Sequence, residues 1–276
     1  MIEIGKLNNL RVVKELDFGI YLDGGESGEI LMPKRYVPEG CKPEDLLNVF
    51  IYRDSEDRLI ATTEKPYAMV GDFAFLKAVS VTTVGAFLDW GLLKDLMVPY
   101  REQSHPIEVG KKYVVHVYLD NDSQRIVAST KIDRFLDNLP PDFNADQEVD
   151  LFIVNKTELG YKAIINNTHT GIIYKNEVFK PINQGQRFKG YVRKVREDDK
   201  IDLYIQKQGP ELRNDLCGDI LDYLKANEGF MDITDKTDPH IIYKKFEVSK
   251  KLFKIALGSL YKQKLIIIKD DGVRLA

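Results

Sequence analysis

The chain has 276 residues, 43% of them hydrophobic, which is enough to bury real cores and suggests about two domains unless small modules repeat. No apolar run approaches the ~18 residues of a bilayer-spanning helix, no cationic start precedes an apolar signal segment, and the two distant cysteines, Cys41 and Cys217, suit a reducing cytoplasm better than a disulfide frame or zinc site. The net charge of −3 excludes indiscriminate nucleic-acid coating, but residues 1–142 carry 17 Lys and Arg against 23 Asp and Glu, while residues 143–276 carry 23 against 20, so a polyanion would meet the C-terminal half first.

Three segments repeat along the chain. The first opens with "LRVVKELDFGIYLDGGESGEILMPK" and ends with "DLLNVFIYRDSEDRLIATT". The second opens with "AFLKAVSVTTVGAFLDWGLLKDLMVP" and ends with "KKYVVHVYLDNDSQRIVAST". The third opens with "DLFIVNKTELGYKAIINNTHTGIIYK" and ends with "QRFKGYVRKVREDDKIDLYIQ". Each ends as an alternating strand, an acidic turn and a second strand opened by Arg58, Arg125 or Lys200. Earlier in each, a turn glycine (Gly19, Gly85, Gly160) leads into an apolar-aromatic strand. Short period-2 strands separated by turn residues predict three small β-barrels in a row. Prolines in "TEKPY" and "DNLPPDFN" mark the linkers.

The last strand pair of the third repeat is rich in cations. Strand alternation places Arg187, Lys189, Tyr191 and Arg193 on one side, with Phe188, Val192 and Lys194 on the other. Arg196 and Lys200 follow in the turn. Basic and aromatic residues sharing a face suit single-stranded nucleic acid. The plain alternative is a solvated surface partly neutralised by Glu197, Asp198 and Asp199.

After "QKQGPEL" the period becomes helical, with Leu212, Leu216, Ile220 and Leu224 at fourfold spacing and "ANEGF" as the stop near Gly229. Asp238 or Thr237 can cap a second helix with Pro239 at its first position, and Ser249 caps a third. On that third helix Leu252, Phe253, Ala256, Leu257 and Leu260 share one face, and Lys250, Lys251, Lys254 and Lys262 share the other with Tyr261. "LIIIKDDGVRLA" reads as a hairpin with an Asp271-Gly272 turn. Three helices and a hairpin make a winged helix-turn-helix. The fold class is therefore mostly β with α: three tandem barrels at 1–65, 66–139 and 140–208, then a winged-helix domain at 209–276.

The repeats resemble S1-type OB-fold domains. The whole order resembles the conserved virulence factor B (CvfB/YitL) family of bacterial RNA-binding proteins, most specifically in "GEILMPK", "VGAFLDWGLLKDLMVP" and "TDKTDPHIIYKKFEVSKKLFKIALGSLYK". The resemblance implies RNA binding and post-transcriptional regulation, without catalysis. In the S1-type pattern an aromatic precedes the turn glycine, a second lies in the following strand, a histidine follows in the third strand, and an Asp and an Arg or Lys flank the last hairpin. Phe18, Tyr21 and Arg58 match in the first repeat, though Leu31 stands in the histidine position. Phe87 and Arg125 match in the second, where Val84 and Val98 depart. Tyr161, Tyr174 and Lys200 are the nearest matches in the third, where Leu159 and Lys162 depart. Bases would stack on the rings while cations hold phosphates. Aromatics in small barrels are also ordinary core residues, and for Phe87 and Trp90 packing is the simpler role.

His105, His116, His169 and His240 are isolated, and no HExxH, GxSxG or P-loop is present. "DGGESG" lies between strands and is a turn, and "DNDSQ" lacks the glycine and terminal glutamate of a calcium loop. The expectation is a cytoplasmic, non-enzymatic RNA-binding protein without cofactor or metal, its oligomeric state open with a monomer favoured. It would use the third barrel and winged helix on single-stranded RNA and could partner the ribosome or RNA-decay proteins. A DNA-binding transcription regulator and a protein-interaction adaptor remain as rivals. The lysine helix has no Arg, Asn or Gln in its first turn for bidentate base reading. Phosphate contact without sequence readout therefore fits it better.

Overall fold

Apolar residues at period two close each repeat into a five-stranded barrel. The computed structural model describes residues 1–178, 181–206 and 210–276. The first barrel is built from β1 (Leu7–Leu16), β2 (Gly19–Asp23), β3 (Glu29–Pro33), β4 (Leu46–Arg53) and β5 (Leu59–Thr62), in the closed order β1-β2-β3-β5-β4. Only β3 and β5 run parallel in it. The second comprises β6 (Phe73–Val81), β7 (Gly85–Asp89), β8 (Leu96–Pro99), β9 (Lys112–Leu119) and β10 (Ile126–Ser129). The third comprises β11 (Glu148–Lys156), β12 (Gly160–Ile165), β13 (His169–Tyr174), β14 (Arg187–Val195) and β15 (Ile201–Tyr204). Both repeat the same strand order, that of a Greek-key OB barrel.

The repeats share two structural devices. β1, β6 and β11 each shift register at the same point, between Val12 and Lys14, Ala78 and Ser80, and Ile153 and Asn155. An extra residue there bends the strand so that it serves both neighbours. The turn glycines pack against the facing strand. A Cβ would stand 2.2 Å from the Met32 oxygen at Gly19, 2.5 Å from the Val98 oxygen at Gly85 and 1.9 Å from the Ile173 oxygen at Gly160. No side chain fits in that space, which explains the matched positions. The barrel cores are the inward rows, such as Ile20, Leu22, Ile30 and Met32 in the first barrel and Leu151, Ile153, Ile173 and Leu203 in the third.

The remaining chain folds as α1 (Pro210–Ala226), β16 (Phe230–Met231), α2 (Pro239–Phe246), α3 (Lys250–Lys262), β17 (Ile266–Lys269) and β18 (Gly272–Leu275). Asp238 caps α2 by accepting the His240 N–H at 2.7 Å, and Ser249 caps α3 by accepting the Leu252 N–H at 3.3 Å. Leu216, Ile220 and Leu224 of α1 pack with Ile242 and with the five apolar residues of α3. The side chain of Leu212, the first in that fourfold series, lies outside the described residues, as does the expected domain boundary between 208 and 209. The hairpin differs by one residue from the sequence expectation. Lys269 pairs with Gly272, so the loop is Asp270-Asp271 and Gly272 already belongs to the strand. A short strand, β16, completes a sheet in the order β16-β18-β17.

The chain divides into two compact units, Met1–Leu136 with the first two barrels and Asp137–Ala276 with the third barrel and the winged helix. Among the described residues no helix is long and apolar enough to cross a membrane, and no three His, Cys, Asp or Glu side chains group to hold a metal ion.

Candidate nucleic-acid interface

Strand register defines an equivalent outward row across each barrel, because directly paired residues share a face. In the first barrel the row is Lys14, Tyr21, Leu31, Ile60 and Tyr52. In the second it is Ser80, Phe87, Met97, Val127 and Tyr118. In the third it is Asn155, Lys162, Ile172, Asp202 and Lys194. The same surface thus carries two rings among apolar residues in each of the first two barrels, and two lysines and an aspartate without a ring in the third.

The first barrel brings its expected residues together. Phe18 is 56% exposed beside the row, edge-on to Tyr21 at 6.3 Å, and Lys14 Nζ sits 4.8 Å over the Tyr21 ring. Arg58 is committed nearby. Its guanidinium donates to Asp54 at 2.9 and 2.8 Å and pairs with Glu56 at 3.0 Å, and these bonds raise its pKa further.

In the second barrel Phe87 faces outward, and Trp90 is buried with its Nε1–H donated to the Lys94 oxygen at 2.6 Å. Arg125 is not held by its own turn. Asp120, which closes that turn, instead accepts from Arg101 and Ser123, and Arg125 reaches Asp57 of the first barrel at 2.8 and 2.5 Å. Arg53 and Lys94 join this junction, and sequence reasoning missed both. Neither lies in a repeated position, and the contact between barrels leaves no period in the sequence.

The third barrel corrects two expectations. Tyr161 pairs with the fully buried Ile173 and packs against the barrel core, so its ring lies inward. Lys162, one residue on, takes the outward place held by Tyr21 in the first barrel. Lys194 was expected on the side of Val192. A register shift in β14 between Val192 and Lys194 makes Arg193 a bulge residue, so both Arg193 and Lys194 are exposed and Val195 turns in.

Most of the remaining third-barrel candidates are engaged. Arg196 donates Nε to the buried carboxylate of Asp202 at 2.9 Å and also bonds Tyr174, whose hydroxyl donates to Asp202 at 3.3 Å. Lys189 pairs with Asp150 at 2.8 Å, Arg193 with Glu177 at 3.1 Å and Lys200 with Asp198 at 2.7 Å. Arg187 lies over the Phe152 ring at 4.6 Å, and Tyr191 stacks on Tyr204 at 5.5 Å. Arg187, Lys189 and Tyr191 line the β11–β14 side, away from the Lys162–Lys194 row. Exposed ion pairs are worth only ~0–1 kcal/mol, so a phosphate can compete for most of these cations.

On α3, Lys250 donates to the Thr237 oxygen at 2.8 Å and anchors the start of α2 instead of standing free. Lys254 is 3.7 Å from Asp235. Lys251 and Lys262 are exposed, and Tyr261 is 56% exposed beside them. Two further residues complete this outer face. Ile255 is 46% exposed, and a Cβ at Gly258 would meet nothing within 4 Å. Gln206 ties the helix to the third barrel, donating to the Glu247 oxygen at 3.3 Å and accepting the Ser249 N–H at 3.2 Å.

Family models match the first two barrels and the winged helix. Residues 4–64 and 70–131 match the S1 domain, and residues 218–275 match the CvfB-like winged helix domain. The chain is similar to uncharacterized protein YitL of Bacillus subtilis, 29% identical over 94% of this chain and 89% of that protein. It is also similar to conserved virulence factor B of Staphylococcus saprophyticus, 24% identical over 99% of this chain and 94% of that protein. A solved structure, a multidomain protein with nucleic acid binding domains from Streptococcus pneumoniae, aligns over 99% of this chain and 98% of its own with 23% identity and a TM-score of 0.43.

Proposed function

From a chain that carries S1 domains and a CvfB-like winged-helix domain and is homologous to YitL and conserved virulence factor B, we propose a protein that binds single-stranded RNA through its third barrel and winged helix and acts after transcription by occupancy. The matched families are nucleic-acid-binding domains, not known enzymes. The reading takes the protein as cytoplasmic and non-catalytic, with four domains at 1–65, 66–139, 140–208 and 209–276. The ribosome or the RNA-decay machinery is its natural setting.

The observation that carries this reading is the Gln206 bridge. It holds the N-terminus of α3 against the barrel whose outward row carries Lys162 and Lys194 with Asp202, and these lysines fall in the same compact unit as Lys251, Lys254 and Lys262. Rings and cations together bind strands without reading sequence. α3 offers lysines and no bidentate reader, which favours phosphate contact.

The test is fluorescence anisotropy of a labelled single-stranded RNA. It compares the wild type with Lys194→Glu and Lys251→Glu, whose side chains hold no structural bond among the described residues. Both reversals are expected to weaken binding, and duplex DNA is expected to compete poorly. Tight duplex binding lost only with Lys251→Glu would assign a transcription regulator. No binding even at low salt would leave an adaptor, with the lysines there for solubility.

A further inference from the structure

The sheet of the winged helix buries one face and leaves the other open. Met231, Ile266 and Val273 are at most 2% exposed and pack with residues of all three helices. On the opposite face, strand pairing aligns Phe230, Arg274 and Ile267 in one row across β16, β18 and β17. Arg274 lies 4.7 Å over the Phe230 ring, and Asp271 accepts from its guanidinium at 2.9 and 2.8 Å. That end of the row is partly covered by a paired cation. The β17 end is not: Ile267 is 44% exposed, and Leu265 on the same face is 41% exposed.

β17 is also an open edge. Among the described residues its only strand partner is β18. Ala276 N–H donates to the Leu265 oxygen at 3.1 Å on that side, and the backbone groups of successive strand residues point to alternate sides. Ile266 and Ile268 therefore aim their N–H and C=O groups at the outer edge. Natural sheets blunt such edges with charges, proline, bulges or short strands, because an unprotected edge recruits another strand. The opposite edge strand, β16, has just two residues. β17 instead runs Ile266-Ile267-Ile268 before it reaches a charge at Lys269. Lys264 stands ahead of this apolar run and Asp270 behind it.

We infer that the outer edge of β17 pairs antiparallel with the same edge of a second copy of this chain, with Ile267 on the two-fold axis. A two-fold contact needs a self-complementary edge, and this one is. In the register centred on Ile267, Ile266 and Ile268 each face the other in the second copy and share roughly four backbone hydrogen bonds. Ile267 meets its own counterpart on the open face. Lys264 comes to the Asp270 end of the other copy, so unlike charges meet at both ends of the run. Moving the axis to Ile266 sets Lys264 against Ile268, and moving it to Ile268 sets Asp270 against Ile266. Charge complementarity thus selects both the occupant and the register. Asp270 now accepts from Lys236 at 2.8 Å, but these side chains are 96% and 76% exposed, so that contact is weak and shared readily. The inference goes beyond the RNA reading and does not rest on it, although two copies would present two lysine-bearing α3 helices to one strand.

The test is sedimentation equilibrium of the full-length protein at concentrations up to about 1 mM, the weak end of specific association. A reversible monomer–dimer equilibrium is expected. Ile267→Lys should keep the far-UV circular dichroism melt, because the side chain is exposed, and should weaken the dimer roughly tenfold, because like charges then meet on the axis. Asp270→Lys and Lys264→Asp should each weaken it about threefold, and the double variant should restore it. Ile267→Cys reads the register directly. Directly opposed residues lie about 4.5–5.5 Å apart between Cα atoms, within disulfide reach, so mild oxidation should link two copies through that position. Leu265→Cys, about 14 Å from its counterpart in this register, should add nothing to the background from Cys41 and Cys217. A dimer that forms without the Ile267→Cys link, or that survives Ile267→Lys unchanged, overturns the pairing. A chain that stays monomeric to about 1 mM overturns it too. In that case labelled-RNA anisotropy lowered by Ile267→Lys would assign the row to nucleic acid, and unchanged anisotropy would leave it plain surface.

Discussion

His116 shows how far a residue's meaning depends on contacts the sequence does not display. In the sequence it is one of four isolated histidines with no catalytic partner. In the structure its ring lies 4.7 Å from Phe73 and 3.9 Å from Phe135, only 9% exposed, with Nδ1 lacking a hydrogen-bond partner. Burial, aided by the Arg134 charge, lowers its pKa from the ordinary 6.5 to about 4. The histidine stays neutral in the folded barrel over a range where the unfolded chain takes up a proton. Its contribution to stability is complete above pH 6.5 and declines as pH falls toward 4. We expect the second barrel to lose about 1–2 kcal/mol from this group between neutral pH and about pH 5. His116→Phe, which keeps the aromatic packing, should lose correspondingly less. Urea midpoints read from Trp90 emission at the two pH values check this, and identical pH dependence in both proteins would contradict it.

Regular elements were legible in the sequence, and their interruptions were not. The apolar face of α3 reads directly from its spacing, and all five residues are buried to 6% exposure or less. The matched glycines mark real close approaches. A bulge has no such signature. One extra residue in β14 moves Lys194 to the opposite face, and the place of Tyr161 depends on its pairing with Ile173, which no single strand reveals. Gly258 was equally silent. It sits mid-helix on the outer face of α3 with open space around it, where glycine costs about 0.5–1 kcal/mol relative to alanine. Gly258→Ala should therefore raise the unfolding temperature of the winged helix, followed by far-UV circular dichroism. If the lysine face lies against a phosphate backbone, the same methyl should weaken RNA binding. A variant that is more stable and binds equally well would take the middle of α3 out of the interface.

Across the whole molecule one barrel plan recurs while its outward row changes from ring-bearing and apolar in the first two barrels to charged in the third, alongside the shift in net charge from the N-terminal to the C-terminal half. The charge shift was visible in composition, but composition could not show how many cations are already spent. Arg58, Arg196 and Lys250 are held by tight structural bonds, whereas Lys194, Lys251 and Lys262 form no ion pair among the described residues and Lys254 only a loose one. The count of available cations sets the salt dependence. Each phosphate neutralised on a single strand contributes about −0.7 to the slope of log K against log salt. Four engaged lysines imply a slope near −3. Removing Lys194 or Lys251 singly should reduce it by about 0.7, while Arg58→Gln should leave it unchanged, because Arg58 sits in the first barrel, outside the proposed surface. If the tightly paired cations altered the slope as much as the free ones, native ion pairs would exchange freely for phosphate, and the first barrel's Phe18–Tyr21 face would then have to be counted within the interface.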